Sequence, residues 1–171
     1  MARHIFLTGD RQIGKSTLLK KVLHAYHGKT GGFVTQKTTE FMGPDCSVHM
    51  FGLDEAQVFS PGNFLFICGK PNPNACKRFD SLGCDALLKC SDCSLIVMDE
   101  LGRHEANAAR FRSAVLERLN GDTPILGVLQ SPADALWPEI VHHPKARILE
   151  ITAGNRDQPG LVDDILSDLQ A

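Results

Sequence analysis

The sequence lacks any apolar run near the eighteen or so residues that a membrane span requires. Its longest such run lies near Phe64-Leu65-Phe66-Ile67-Cys68, so no membrane association is expected. Only three apolar residues, Ile5-Phe6-Leu7, separate Met1-Ala2-Arg3-His4 from Thr8-Gly9-Asp10. That is too few for a signal-peptide core, and a cytoplasmic setting with reduced thiols is the expectation. Basic residues never cluster beyond Lys20-Lys21, and the formal net charge is −2. A broad electrostatic grip on nucleic acid or an anionic membrane is therefore disfavoured, and a small or local ligand is favoured. Internal repeats, low-complexity tracts and linkers are missing as well.

What is present suits one folded domain over residues 1–171, with 43% hydrophobic and 22% charged residues. His4–Thr8 reads as a short apolar strand. Residues 15–26 follow with Leu18, Leu19, Val22, Leu23 and Tyr26 on one helical face. Strands are expected at Gly31–Thr35, Cys46–Leu53 and Asn63–Cys68, and a short helix at Asp80–Leu88. Leu95-Ile96-Val97-Met98 has the continuous apolar character of a strand covered on both faces, so it should be central. Helical spacing of Phe111, Val115 and Leu119 predicts a helix over Glu105–Leu119. Strands at Pro124–Leu129 and Ala146–Ile151 and a closing helix from Leu161 complete the pattern. Alternation of strand and helix at both ends implies an α/β fold: three layers, with a mostly parallel sheet flanked by helices. Residues 38–93 read as a β-rich, cysteine-containing insertion into it.

Gly9-Asp10-Arg11-Gln12-Ile13-Gly14-Lys15-Ser16 matches the phosphate-binding loop G-x-x-x-x-G-K-[ST] at every required position. Because the loop leaves a strand and opens a helix, its backbone N–H groups and the positive helix end converge on one point, where a polyphosphate fits. Lys15 would reach the β- and γ-phosphates, Ser16 would offer a hard oxygen to Mg²⁺, and Thr17 completes the nucleotide-contacting stretch. A carboxylate on a neighbouring strand should hold the metal, and Leu95-Ile96-Val97-Met98-Asp99-Glu100 supplies it. Asp99 would orient Mg²⁺, while Glu100 could take a proton from a water aimed at the γ-phosphorus. The alternative, that Asp99-Glu100 merely caps a helix, loses weight with the loop upstream.

These residues, with Gly31-Gly32-Phe33-Val34-Thr35, the run Asp99–Glu105 and Thr152-Ala153-Gly154-Asn155-Arg156-Asp157, give the chain a resemblance. It resembles the small P-loop nucleoside-triphosphatases, the cancer-related nucleoside-triphosphatase and its archaeal and bacterial relatives. The resemblance implies a RecA-like parallel sheet and Mg²⁺-dependent hydrolysis of nucleoside triphosphates, ATP or GTP among them. It also implies that Asn155 and Arg156 face the base or the phosphates. The chain departs from the family where Pro and a third Gly would stand, at Asp10, Arg11 and Gln12. A non-glycine residue at Gln12 implies either modest strain or a differently shaped loop.

Arg156 and Arg103 are candidates for stabilising transition-state charge, although either could equally pair with a surface acid. Cys84, Cys90 and Cys93 have the residue types of a zinc or iron–sulfur site; reduced thiols packed as small apolar groups are the favoured alternative. The expected activity is nucleoside-triphosphate hydrolysis. Two alternatives remain open: a small nucleotide or metabolite kinase using the same loop, and a slow nucleotide-dependent switch.

Overall fold

The computed structural model of the protein describes residues 3–171. Strand β1 (His4–Thr8) runs through a loop into helix α1 (Lys15–Ala25). Strands β2 (Thr30–Met42), β3 (Asp45–Gly52) and β4 (Phe64–Ile67) follow. The chain returns through α2 (Ala75–Arg78), a π-helical turn over Phe79–Gly83 and α3 (Cys84–Leu88). It then enters β5 (Leu95–Leu101), α4 (Arg103–Ala106) and α5 (Ala109–Asn120). Last come β6 (Ile125–Leu129), α6 (Ala133–Leu136), α7 (Pro138–Val141), β7 (Ala146–Glu150) and α8 (Leu161–Gln170).

Among the described residues one seven-stranded sheet holds every strand, in the order β4-β3-β2-β5-β6-β1-β7. β2, β5, β6, β1 and β7 run parallel, and β3 and β4 extend the sheet antiparallel. The expected α/β sheet therefore forms, with β5 at its centre. Strand alternation divides the core in two. Leu95 and Val97 of β5, Ile5 and Leu7 of β1, and Leu126 and Val128 of β6 pack under α1 and α8. Ile96, Met98, Phe6 and Ile125 face the other way, against Phe111, Val115 and Leu119 of α5. At the β2–β5 seam Gly32 is required, because a Cβ there would lie 2.0 Å from the Val97 carbonyl oxygen at a φ of +105°.

Three elements differ from the periodicity reading. The helix placed over Glu105–Leu119 is two helices, because Ala108 is extended, with φ −83° and ψ 97°. The apolar spacing behind that expectation begins at Phe111 and never covered the residues before it. The Gly31–Thr35 strand continues to Met42, since past Phe33 it pairs with β3 in a hairpin. The helix expected over Asp80–Leu88 starts earlier, at Ala75, and passes through the π turn. The one-turn helices α6 and α7 were not anticipated, since four residues are too short to display a period.

His4 is buried on β1. Its Nε2–H donates to the Leu119 carbonyl at 2.9 Å, while its Nδ1 has no partner. Burial is the main cause that lowers its pKa to about 4, and His143, Lys145 and Arg3 push the same way. The folded state thus binds this proton less readily than the unfolded chain, whose ordinary value is 6.5. Stability is retained above that value and lost as pH falls from 6.5 towards about 4. His4→Gln, which can still donate to Leu119, should flatten this acid limb in denaturant unfolding measured at each pH; an unchanged limb would assign it to other groups.

Candidate active site

The loop between β1 and α1 is shaped by residues that occupy unusual backbone regions. Gly9 has φ 131° and lies so near the end of β7 that a Cβ on it would sit 2.4 Å from the Ile151 carbonyl oxygen. Ile151 is itself tied to β1, its N–H donating to the Thr8 carbonyl at 2.8 Å. Gln12 takes φ 60°, so the loop without a third glycine keeps its turn at the expense of left-handed strain. Gly14, with φ 114°, begins α1, and no acidic residue occupies the first turn of that helix. The positive helix end is thus left to an outside anion.

Lys15 lies back across the loop, its Nζ donating to the carbonyl oxygens of Gly9 at 2.8 Å and Asp10 at 2.6 Å. Burial lowers its pKa, and the negative charges of Glu100 and Asp10 oppose that shift. Asp10, Arg11, Ser16 and Thr17 are exposed around the loop, and Ile13 is half-buried.

Asp99 is buried, and alternation along β5 turns it towards the same face as Val97, under α1. Burial raises its pKa to about 6, the neighbouring Glu100 adds to the rise, and the Thr35 backbone and Lys20 oppose it. Glu100 is half-buried and takes φ 64°, a left-handed conformation that a glutamate seldom adopts and that re-aims the strand end. The Asp99 carboxylate and the Ser16 hydroxyl are hard oxygen donors, and a carboxylate whose charge burial disfavours is one that a cation would relieve. The residues present therefore fit Mg²⁺.

The corner after Glu100 is held by residues to which the sequence reading gave no role. Gly102 N–H donates to Glu105 Oε2 at 3.0 Å, and the Gly102 carbonyl accepts Trp137 Nε1–H at 3.2 Å. Arg103 is exposed, and its N–H donates to Gln130 Oε1 at 3.3 Å. Ser131, past the end of β6, places its Oγ 3.3 Å from Thr8 Oγ1 and 3.5 Å from the Gly9 carbonyl. Only its position after an apolar strand, at the ligand edge of a parallel sheet, could have singled it out.

Arg156 reaches the loop, with Nη1 donating to the Ile13 carbonyl at 3.2 Å and Nε to Asp157 Oδ2 at 3.2 Å. With Gln12, Gly14, Thr17, Lys21 and Asp157 it borders a cavity of about 290 Å³ beside the start of α1. Asn155 lies in the turn just before Arg156. Its Oδ1 accepts the Thr152 N–H at 2.8 Å and its Nδ2 donates to the Glu150 carbonyl at 2.8 Å, so the amide clips its own turn.

The sequence model of a family described as NTPase matches residues 4–166. The chain belongs to that family. Among relatives of the NTPase family, it is 28% identical to the human cancer-related nucleoside-triphosphatase over 196 residues, covering 100% of this chain and 98% of that protein. It is 30% identical over 159 residues to nucleoside-triphosphatase THEP1 of Methanosarcina barkeri, covering 90% of each. The crystal structure of THEP1 from Aquifex aeolicus shares the fold, with a TM-score of 0.74, 24% identity and coverage of 98% of this chain and 99% of that one. The solution structure of the human protein matches with a TM-score of 0.66 and 26% identity, over 99% and 98% of the two chains.

The zinc or iron–sulfur reading of Cys84, Cys90 and Cys93 is not supported. Among the described residues, no group of three or more His, Cys, Asp or Glu could hold a metal ion. Cys90 and Cys93 crowd the same space over Gly31, whereas Cys84 packs against the core from the start of α3. No helix among the described residues is long and apolar enough to cross a membrane.

Glu105 is buried, and burial pushes its pKa up to about 8 from the ordinary 4.5. The unfolded chain gives up this proton first, so stability is lost as pH rises from 4.5 to about 8. Glu105→Gln keeps an acceptor for Gly102 without the charge. Chemical unfolding should show the variant gaining on the wild type across that window, and a constant difference would refute the assignment.

Proposed function

We propose that the protein is a Mg²⁺-dependent nucleoside-triphosphatase that removes the γ-phosphate of ATP, GTP or a related nucleotide. The observation that carries this reading is the loop between β1 and α1, where Gly9 and Gly14 take positive φ, Lys15 folds back over the loop carbonyls and no acid occupies the first turn of the helix, with Asp99 and Glu100 near the end of β5, one strand (β6) away from β1. Family membership and relatives named nucleoside-triphosphatases support the same activity.

The loop N–H groups over 9–14 and the first turn of α1 bind the phosphate chain. Lys15 exchanges the neutral Gly9 and Asp10 carbonyls for phosphate oxygens, a stronger charge-assisted contact. Ser16 Oγ and the Asp99 carboxylate are the donors that would hold Mg²⁺, which when bound neutralises charge on the phosphates. The Glu100 carboxylate takes a proton from the attacking water as its oxygen bonds to the γ-phosphorus and the nucleoside diphosphate leaves. Arg156 borders the nucleotide from the loop side, and Asn155 acts by holding the turn that carries it. Arg103, exposed after the Gly102 corner, is the second arginine available to developing charge. The reading keeps a cytoplasmic setting and one domain with residues 38–93 inserted.

Lys15→Ala should weaken nucleotide binding at least about tenfold, since it removes a charge-assisted contact to phosphate. Glu100→Gln should bind nucleotide as the wild type does and release phosphate about 10²–10⁴-fold more slowly. Both are read from Mg²⁺-ATP incubated without an acceptor, by phosphate release and by nucleotide titration. Full turnover in Glu100→Gln would remove the general-base role. Release only after a metabolite acceptor is added would replace hydrolysis with phosphoryl transfer.

A further inference from the structure

The antiparallel extension formed by β3 and β4 has no part in the chemistry described above, yet it brings two thiols together. The register pairs Ser47 with Ile67, so Cys46 on β3 lies opposite Cys68, the residue after β4. The Cys68 N–H donates to the Cys46 carbonyl at 2.8 Å, and the two Sγ atoms stand 3.1 Å apart. Both cysteines are free and partly exposed. Residues directly opposite in an antiparallel pair have Cα atoms about 4.5–5.5 Å apart, within the range that a disulfide spans. Closing the sulfurs to bonding distance therefore takes side-chain rotation rather than strand movement.

We propose that Cys46 and Cys68 are a modification site, a thiol pair that forms a reversible disulfide by exchange with a small disulfide of the glutathione class. One thiolate of the pair attacks a sulfur of oxidised glutathione, breaking its S–S bond and releasing one glutathione thiolate. The facing cysteine, once deprotonated, attacks the protein sulfur of this mixed disulfide and expels the second glutathione. The two protein thiols lose two electrons and two protons, and one oxidised glutathione becomes two glutathione thiols.

Burial and the facing Cys46 push the Cys68 thiol above its ordinary range, with Lys37 acting the other way. Attack by Cys68 itself is accordingly slow at neutral pH. The second close pair is set apart by burial: Cys90 is buried and its thiol is pushed up to about 12. A Cys46–Cys68 bond would close the loop that holds Val58 and Pro61 and staple β4 to β3. Phe66 of β4 meets the His104 ring at 4.4 Å, so the stapled edge abuts the corner that follows Glu100.

The full-length protein, reduced and then equilibrated with oxidised glutathione, tests this directly. Free thiols should fall from six to four. Peptide mass spectrometry without reduction should find Cys46 joined to Cys68, and dithiothreitol should restore both thiols. The melting temperature of the oxidised protein should rise by roughly 5 °C or more, as expected when a loop of this length is closed. Cys46→Ser and Cys68→Ser should each instead hold one glutathione on the remaining cysteine. The proposal is overturned if both thiols of the wild type stay reduced or carry separate glutathiones, or if the first bond formed joins Cys90 to Cys93.

Discussion

The parallel pairing of β1, β6 and β5 is the constraint on which the site depends. Phe6, Gly127 and Met98 stand in one row across these strands. The row is locked by shape as well as by hydrogen bonds, since the Phe6 ring occupies the space that a side chain on Gly127 would take. Three residues beyond Phe6 the chain turns into the phosphate loop; one residue beyond Met98 stands Asp99. A change of register by two residues would carry the acids about 6–7 Å along the strand relative to the phosphate loop.

Strain is concentrated where that row ends. Gln12 and Glu100 are the non-glycine residues with positive φ among those described, and they lie on opposite sides of the gap between the loop and the β5 terminus. Each such residue costs on the order of 1–3 kcal/mol and persists only where its surroundings over-determine it. Around Gln12 the supports are Gly9 against Ile151 and Arg156 on the Ile13 carbonyl. Around Glu100 they are the buried strand and the Gly102 corner, gripped on its N–H by Glu105 and on its carbonyl by Trp137. Trp137 is fully buried with the Arg112 guanidinium 4.6 Å above its ring, so it is a firm anchor for that corner.

Much of this was legible in the residues before any coordinates. The loop at 9–16, the acids at 99 and 100 and the central place of Leu95–Met98 follow from spacing and from apolar runs, because phosphate binding needs a fixed order of strand, glycine turn and helix. The supports were not legible. Trp137 lies in a stretch too short to show a period, and Glu105 lies in sequence where a helix-capping acid is commonplace. Nor was it legible that the Asn155 amide clips its own turn, on the Thr152 N–H and the Glu150 carbonyl.

By itself the sequence determined the fold class, the phosphate loop and which acids accompany it, because these depend on local order and hydrophobic period. Tertiary structure decided which groups meet: Arg156 with the loop, Gly102 between Glu105 and Trp137, and Cys46 with Cys68. Those meetings depend on strand order and register, which join residues far apart in the chain and leave no mark on the spacing of any one segment. The cysteines illustrate the division most clearly. Their number and spacing suggested a metal site at 84, 90 and 93, whereas the hairpin register brought together 46 and 68.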